Sequence, residues 1–213
     1  RNASICSPTS VPKTTTLPAR PEFFTASVAP IVPPSLADQM MSRSGWPVRM
    51  SPAFFTAANI WAEWLKTKFP NGAKVASITF NSDFGKSYLN GFKSAIKGTN
   101  IQLVGDFPHD PTAPNLDNQY TSAAATGADV LLLQTSGTYC TQGMADVEKG
   151  AWHPTVIMSE TCGSLNQFFQ PLIDQGLTGK GVHLIQYLKD VNDQAFADDP
   201  IVKKFHEVAK AQG

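Results

Sequence analysis

The sequence has few cysteines, and no cysteine pair has metal-binding spacing. Its three cysteines, Cys6, Cys140 and Cys162, stand far apart, and none belongs to a C-x-x-C pair. This spacing argues against a structural zinc site. The four histidines are also scattered, with no ligand spacing and no evident carboxylate partner. We therefore predict no bound metal and no cofactor.

The sequence also lacks net charge and long apolar runs. Seventeen Lys and Arg residues balance 17 Asp and Glu residues, for a formal net charge of +0. No basic field is therefore present to hold a nucleic acid or an anionic membrane surface. The longest apolar runs, such as Val130 to Leu133, are far too short to span a bilayer.

Motifs of the common catalytic folds are missing as well. No G-x-S-x-G, P-loop or G-x-G-x-x-G motif occurs. An S-x-x-K match from Ser10 to Lys13 lies in a proline-rich stretch, without the helix that its chemistry requires. We therefore do not expect catalysis.

A strand–loop–helix unit from Lys74 to Ile96 organises the rest of the chain. Val75–Phe80 is rich in β-branched and aromatic residues, which is typical of a buried strand. Asn81–Asp83 has turn chemistry, and apolar residues recur at helical spacing after Gly85. Ligands of open α/β sheets bind just past the carboxyl ends of the strands, so this loop is the first candidate site.

Four more strand candidates follow at nearly equal intervals, and helical patterns lie between them. The predicted strands are Val75–Phe80, Ile101–Phe107, Asp129–Thr135, Thr155–Ser159 and Val182–Leu188. The predicted helices are one beginning at Ser51 and Pro52, then Lys86–Lys97, Leu116–Thr126, Thr141–Lys149, Ser164–Gln175 and Pro200–Ala211. This alternation predicts an α/β fold with a doubly wound parallel sheet and right-handed crossovers.

Residues 1 to 52 differ in composition from the rest of the chain. They are rich in proline, serine and threonine, which is typical of loops, linkers and partly disordered segments. Phe23, Phe24 and Trp46 instead indicate that part of this stretch packs against something.

Cys140 and Cys162 occupy matching positions after neighbouring predicted strands. One interpretation is a nucleophilic Cys140 thiolate of low pKa at a helix start, as in a thiol hydrolase. The other is a Cys140–Cys162 disulfide, which implies an oxidising compartment. We predict the disulfide, with Cys6 unpaired.

Polar loops with aromatic residues follow the strands at the expected carboxyl edge. They are Asn81–Phe84, Ser136–Tyr139, Glu160–Gly163 and the region after Tyr187. Helix capping and turn formation alone are one explanation for this composition. If the loops converge instead, Tyr139 and Tyr187 are expected to contribute to a ligand site.

Several stretches, in order, resemble the amino-acid-binding receptors of branched-chain ABC transporters, which are type I periplasmic binding proteins. Ile5–Ser10 resembles their "ISPSAT" loop, and Val48–Pro52 resembles "FRLSP". Lys74–Phe92 resembles "KVAVLYQDDDYGKGYLEGFK", Gly127–Val130 matches "GADV", and Ser159–Ser164 resembles "GPEGVGN". Each motif alone is weak, whereas their order and spacing together are specific.

The resemblance implies two α/β lobes joined by crossing segments that close on a small ligand. Residues 1–48 would then belong to the first lobe, residues 49–186 would form the second lobe, and residues 187–213 would return to the first. Arg1 is not an initiator methionine, and the chain stops straight after a predicted helix. We therefore expect a fragment with an incomplete first lobe.

The resemblance also implies ligand-binding residues. Ser7, Thr9 and Ser10 would hold an α-carboxylate, and Phe84 and Glu160 would hold an ammonium group. Phe84 stands where relatives often carry tyrosine, which removes a hydroxyl from the site.

The implied function is capture of an amino acid or similar organic acid for an ABC permease. The protein would be periplasmic or extracellular, and it would meet the membrane only through the permease or a lipid anchor. The alternatives are a ligand-sensing domain of a receptor or regulator with the same fold and, less favoured, the thiol hydrolase.

Overall fold

A computed structural model of the protein describes residues 54–185 and 189–212. The helices are α1 (Phe54–Lys68), α2 (Asp83–Ala95), α3 (Asp117–Ala125), α4 (Thr138–Lys149), α5 (Gln170–Ile173) and α6 (Pro200–Gln212). The strands are β1 (Ala73–Phe80), β2 (Ile101–His109), β3 (Val130–Gln134), β4 (Thr155–Met158) and β5 (Val182–Leu184). Short 3₁₀ turns cover Glu160–Cys162 and Gln194–Phe196, and a π-helix covers Leu165–Phe169.

The five strands form one sheet in the order β2-β1-β3-β4-β5, and every neighbouring pair is parallel. This confirms the predicted α/β fold. Each strand begins within two residues of its predicted start, and the interior strands β1, β3 and β4 carry the largely apolar runs that are typical of buried parallel strands. Strand β3 is the clearest case, since all five of its residues are buried.

Helices cover both faces of the sheet. Apolar residues of α1 and α2 pack on one face against Val75, Leu132 and Ile157. Apolar residues of α3, α4 and the π-helix segment pack on the other face, against Ile78 and Leu133. The sheet is therefore doubly wound, with a core on each side.

Three predicted helices differ from the structure by three residues or more, and one of them is α4, which begins at Thr138 rather than Thr141. Helix α2 begins at Asp83 rather than Lys86, because the Ser82 hydroxyl accepts a hydrogen bond from the Gly85 amide and caps the helix. The predicted helix Ser164–Gln175 is a π-helix followed by the short α5. Pro171 lies at this junction and has no N–H to continue an α-helical ladder.

Helix α6 carries an apolar stripe that is exposed among the described residues. Ile201, Phe205 and Val208 are 78%, 52% and 43% exposed, although their spacing is that of a core-facing helix. Val202 is the only buried residue of this helix.

No helix in the two described ranges combines the length and the apolar character needed to cross a bilayer.

Asp146 is expected to make the fold less stable as the pH rises. Its carboxyl is half-buried on α4, and one of its oxygens has no hydrogen-bond partner among the described residues. Burial, and next the carboxylate of Asp117, raise the pKa of Asp146 from 3.8 to about 6. Between these two values the folded protein keeps a proton that the unfolded chain has lost, so stability falls as pH rises and is level above about pH 6.

Asp146→Asn should therefore raise the free energy of unfolding at pH 7 by about 1 kcal/mol, a value reduced for partial solvation. Urea unfolding of both proteins at pH 4 and pH 7 measures the effect. The difference should almost vanish at pH 4, where the carboxyl is largely protonated in the folded state. A difference that does not change with pH would contradict the assignment.

Candidate functional site

The carboxyl edge of the sheet contains a point where chain connections diverge. From β1 the chain passes through α2 to β2, whereas from β3 it passes through α4 to β4 on the opposite side. Strands β1 and β3 are neighbours. Open α/β sheets bind ligands in the crevice that such a divergence creates. The residues that follow β1, β3 and β4 therefore define the candidate site.

The turn after β4 is fixed to its surroundings on both sides. The Ser159 hydroxyl accepts a hydrogen bond from the Thr161 amide at 3.3 Å. The Thr161 hydroxyl donates to the backbone carbonyl of Thr135, just past β3, at 3.0 Å. On the other side, Cys162 forms the predicted disulfide with Cys140, and the two Cα atoms are 5.5 Å apart. Glu160 is thus carried by a turn that is tied to two neighbouring elements.

The carboxylate oxygens of Glu160 are buried and pair with no cation among the described residues. Neither of its oxygens has a hydrogen-bond partner among the described residues. Burial raises the pKa of Glu160, because the charged form loses its hydration, and the backbone amide of Glu160 itself offsets part of this rise. A carboxylate in this situation favours a positively charged hydrogen-bond donor beside it. An acidic group whose pKa is raised by burial at the ligand-binding edge of an α/β sheet is a candidate functional residue.

Tyr88 lies on the second turn of α2 with its ring in the core. Its hydroxyl is buried and has no hydrogen-bond partner in the described ranges. Burial raises the pKa of Tyr88 well above its usual value, and the negative charge of Glu160 raises it further. The phenol and the carboxylate are therefore within electrostatic reach of each other.

Gln134 ends β3 at the same edge and is fully buried. Its side-chain Nε2 donates to the backbone carbonyl of Ile157 at 3.2 Å, across the β3–β4 pair. Its Oε1 has no partner among the described residues. This side chain gives the edge a second buried acceptor without a donor.

His109 and Tyr139 form an aromatic cluster on the opposite face of the edge. The Nε2 of His109 is 2.9 Å from the Thr135 hydroxyl, and its ring packs against Tyr139 with a centroid distance of 4.5 Å. Burial lowers the pKa of His109. The Tyr139 hydroxyl donates to the carbonyl of Ala113 at 2.6 Å, so it holds the loop between β2 and α3.

Phe84 lies in the first turn of α2, at the edge of the sheet. Its ring makes an edge contact with Phe54 of α1, at a centroid distance of 4.5 Å. The ring is partly exposed, so it still offers apolar surface at this edge.

The remaining predicted residues lie outside the described ranges. They are Ser7, Thr9, Ser10 and Tyr187, together with the cysteine predicted to be unpaired, Cys6. Among the described residues, no group of three or more His, Cys, Asp or Glu side chains is arranged to hold a metal ion.

The sequence singles out Glu160 as a candidate site residue, and it gives no such indication for Tyr88 or Gln134. The sequence places Tyr88 in the apolar stripe of a helix, where an aromatic residue is ordinarily core. Gln134 lies within the predicted strand Asp129–Thr135, which is otherwise mostly apolar. A polar residue closing the run Val130–Leu133 was the available signal, since a buried amide needs partners.

Comparison with known proteins gives one family and several related folds. A family model described as a periplasmic binding protein matches residues 11–197 of the chain. No curated protein sequence matches the chain significantly.

Solved structures with a similar fold include a fatty acid ABC transporter substrate-binding protein from Thermomonospora curvata. It is 19% identical with a TM-score of 0.60, and the alignment covers 75% of this chain and 40% of that one. An amino acid ABC transporter substrate-binding protein from Pseudomonas fluorescens Pf-5 is 23% identical with a TM-score of 0.56, covering 71% and 40%. An extracellular ligand-binding receptor from Rhodopseudomonas palustris HaA2 is 17% identical with a TM-score of 0.54, covering 66% and 37%. The aligned part is thus 40% or less of the length of these structures, and the likeness at this identity is one of fold.

Proposed function

The chain belongs to the periplasmic binding protein family, and we propose that it captures a small amino acid or similar organic acid that carries an ammonium group. The observation that carries the proposal is the buried carboxylate of Glu160 at the divergent edge of the sheet, which has no hydrogen-bond partner in the part of the chain that the structure describes. An ammonium group supplies both the charge and the N–H donors that this carboxylate lacks. Such a pair is strong when it is shielded from water and hydrogen-bonded.

An ammonium group is present in amino acids and absent from fatty acids, the two ligand classes that appear in the names of the structural relatives. One relative is a fatty acid ABC transporter substrate-binding protein, and another is an amino acid ABC transporter substrate-binding protein. A fatty acid would bring a second carboxyl group near Glu160 and no cation. The environment of Glu160 therefore supports an amino acid over a fatty acid.

Further ligand contacts are proposed from the family motifs. Ser7, Thr9 and Ser10 would bind the α-carboxylate through their hydroxyls and the amides of a helix start. The partly exposed ring of Phe84 would pack against the apolar part of the ligand. Tyr187 would face the ligand from the crossing segment.

Tyr139 is proposed to shape the site without touching the ligand polar groups. The support for this role is its hydroxyl, which is already engaged by the carbonyl of Ala113.

A division into lobes is proposed along with this function. Residues 1–48 would belong to the first lobe, residues 49–186 would form the second, and residues 187–213 would return to the first. The exposed apolar stripe of α6 supports the last step, since Ile201 and Phe205 need a surface to pack on.

Delivery to an ABC permease, from an extracytoplasmic location, is the role that this family membership supports. A structural disulfide is in keeping with an oxidising compartment. The protein would release its ligand unchanged. The thiol-hydrolase alternative loses its nucleophile, because the Cys140 sulfur is bonded to Cys162.

A thermal-shift comparison of matched ligands tests the proposal on the intact protein. Each of L-leucine, L-phenylalanine and L-threonine is compared with the same acid lacking its amino group. At least one amino acid should stabilise the protein, by about 2.7 kcal/mol at 100 times its dissociation constant, and its deaminated partner should not. Equal stabilisation by both members of a pair would overturn the requirement for an ammonium group.

A further inference from the structure

We propose that Tyr88 and Gln134 complete the ammonium site that Glu160 begins, so that the site selects primary amines. The inference rests on the proposed function and adds two specificity-determining residues to it. It also specifies the ligand class. Tyr88, Gln134 and Glu160 each have a buried side-chain oxygen that can accept one of the three N–H bonds of a primary ammonium ion.

The position of Tyr88 on its helix favours a hydroxyl that points toward the carboxyl edge of the sheet. Helix α2 begins directly after β1, and Tyr88 lies on its second turn. Long side chains on a helix point back toward the helix N-terminus, which here is the carboxyl edge. The side chain is 0% exposed, and its ring packs in the core beneath α1 and α2.

A tyrosine inside a core lowers the stability of the fold when its hydroxyl has no hydrogen-bond partner. Leaving a buried hydroxyl without a partner lowers stability, whereas phenylalanine would fill the same space without that loss. The Glu160 carboxylate is close enough to raise the pKa of Tyr88, and neither of its oxygens has a partner in the described ranges. A group that bridges the hydroxyl and the carboxylate would satisfy both.

The side-chain orientation of Gln134 is fixed by its neighbour. The Ile157 carbonyl can only accept a hydrogen bond, so the NH₂ group of Gln134 must face it, at 3.2 Å. Oε1 then points the other way, where it has no partner among the described residues. Val130 and Leu132 of β3 contact the core beneath α1 and α2, so by strand alternation Gln134 lies on the same face as Tyr88.

The three groups differ in ways that suit one ammonium ion. Glu160 supplies the negative charge, and Gln134 supplies a neutral acceptor. The Tyr88 hydroxyl oxygen can accept an N–H bond as a second neutral acceptor. A primary ammonium uses all three groups, whereas each N-methyl group removes a donor and adds bulk to a packed region.

Calorimetric titration of the intact protein tests the inference. The probes are L-leucine, L-phenylalanine and L-threonine, each with its N,N-dimethyl derivative. The variants are Tyr88→Phe, Gln134→Met and Glu160→Gln. The matched control is Tyr120→Phe, which removes a hydroxyl that donates to the Trp152 carbonyl at 2.8 Å, in another part of the domain.

Tyr88→Phe should bind the amino acid about 10-fold more weakly, because it loses a hydrogen bond to a charged group. The ligand-free variant should melt at the same or a higher temperature than wild type. Gln134→Met should also bind more weakly, and the preference for the primary amine over its dimethyl derivative should shrink in both variants. Tyr120→Phe should lower the melting temperature and leave affinity unchanged.

Two results would overturn the inference while leaving the proposed function in place. One is unchanged affinity in Tyr88→Phe together with a large loss in Glu160→Gln. The other is a fall in the melting temperature of ligand-free Tyr88→Phe as large as that of Tyr120→Phe, which would make the hydroxyl a structural hydrogen bond. Wild-type protein that binds none of the amino acids would overturn the proposed function and this inference with it.

Discussion

Glu160→Gln is expected to weaken amino-acid binding by about one to three decades. The ligand ammonium would be desolvated beside a neutral amide in place of a carboxylate. Removing one member of a buried charge pair costs about 2–5 kcal/mol, much of it from leaving the other charge unpaired, and each 1.4 kcal/mol is tenfold in affinity. Glutamine has nearly the same shape as glutamate, so the turn that carries it should be retained.

The stability of the ligand-free variant should change in the opposite direction. Burial raises the pKa of Glu160, so the charged carboxylate destabilises the ligand-free fold at neutral pH. Glu160→Gln should therefore unfold at the same or a higher urea concentration than wild type at pH 7. The disulfide and the Thr161 bond to Thr135 hold the turn without help from the carboxylate.

Titration calorimetry on the intact protein, with the amino acid that wild type binds best, measures the loss. Asp83→Asn is the matched control, because it makes the same chemical change on an exposed carboxylate in the first turn of α2. The control should bind nearly as well as wild type. Equal affinities of wild type and Glu160→Gln would mean that the ligand lacks an amine or that Glu160 does not contact it.

The sheet could be predicted from the sequence because buried parallel strands leave a simple pattern. The interior strands β1, β3 and β4 are short, largely apolar runs that precede polar turn residues, whereas the edge strand β2 is only partly buried and contains Gln102 and Asp106. The ends of the helices are harder to predict from the sequence, because single capping hydrogen bonds determine them. The Ser82 cap that starts α2 at Asp83 is one example.

The candidate site was predicted only where a residue's position along the chain determines its place. Glu160 follows a strand, so it lies at the carboxyl edge whatever the packing around it. Tyr139 also follows a strand, but its hydroxyl is taken by the loop between β2 and α3, a contact across 26 residues. The unmet hydrogen bonds of Tyr88 and Gln134 arise from tertiary packing, which no local pattern encodes.

Removing the Cys140–Cys162 disulfide is expected to lower the free energy of unfolding by about 3 kcal/mol. The two cysteines are separated by 22 residues. Opening a loop of this size increases the conformational entropy of the unfolded chain, which lowers the free energy of the unfolded state by about this amount. Both side chains are 0% exposed, so the variant should be Cys140→Ala with Cys162→Ala, which buries no new hydroxyl.

Urea unfolding of the double variant and of wild type, both without reductant, gives the difference. Cys6→Ala is the control and should unfold like wild type. Thiol titration of denatured wild type should find one reactive thiol, since three would mean that the bridge is absent. A double variant as stable as wild type would contradict the stabilising role.

The same double variant should also bind its amino acid more weakly, for a reason separate from stability. Cys162 lies two residues beyond Glu160, and the disulfide ties their turn to the first turn of α4. Without that tie the carboxylate samples more positions, and ordering it on binding costs free energy. The loss should be smaller than that of Glu160→Gln, because the charge is still present. Measuring affinity well below the urea midpoint of the variant separates the two effects, since almost all of the protein is then folded. Unchanged affinity under those conditions would show that Thr161 and Ser159 alone hold the turn.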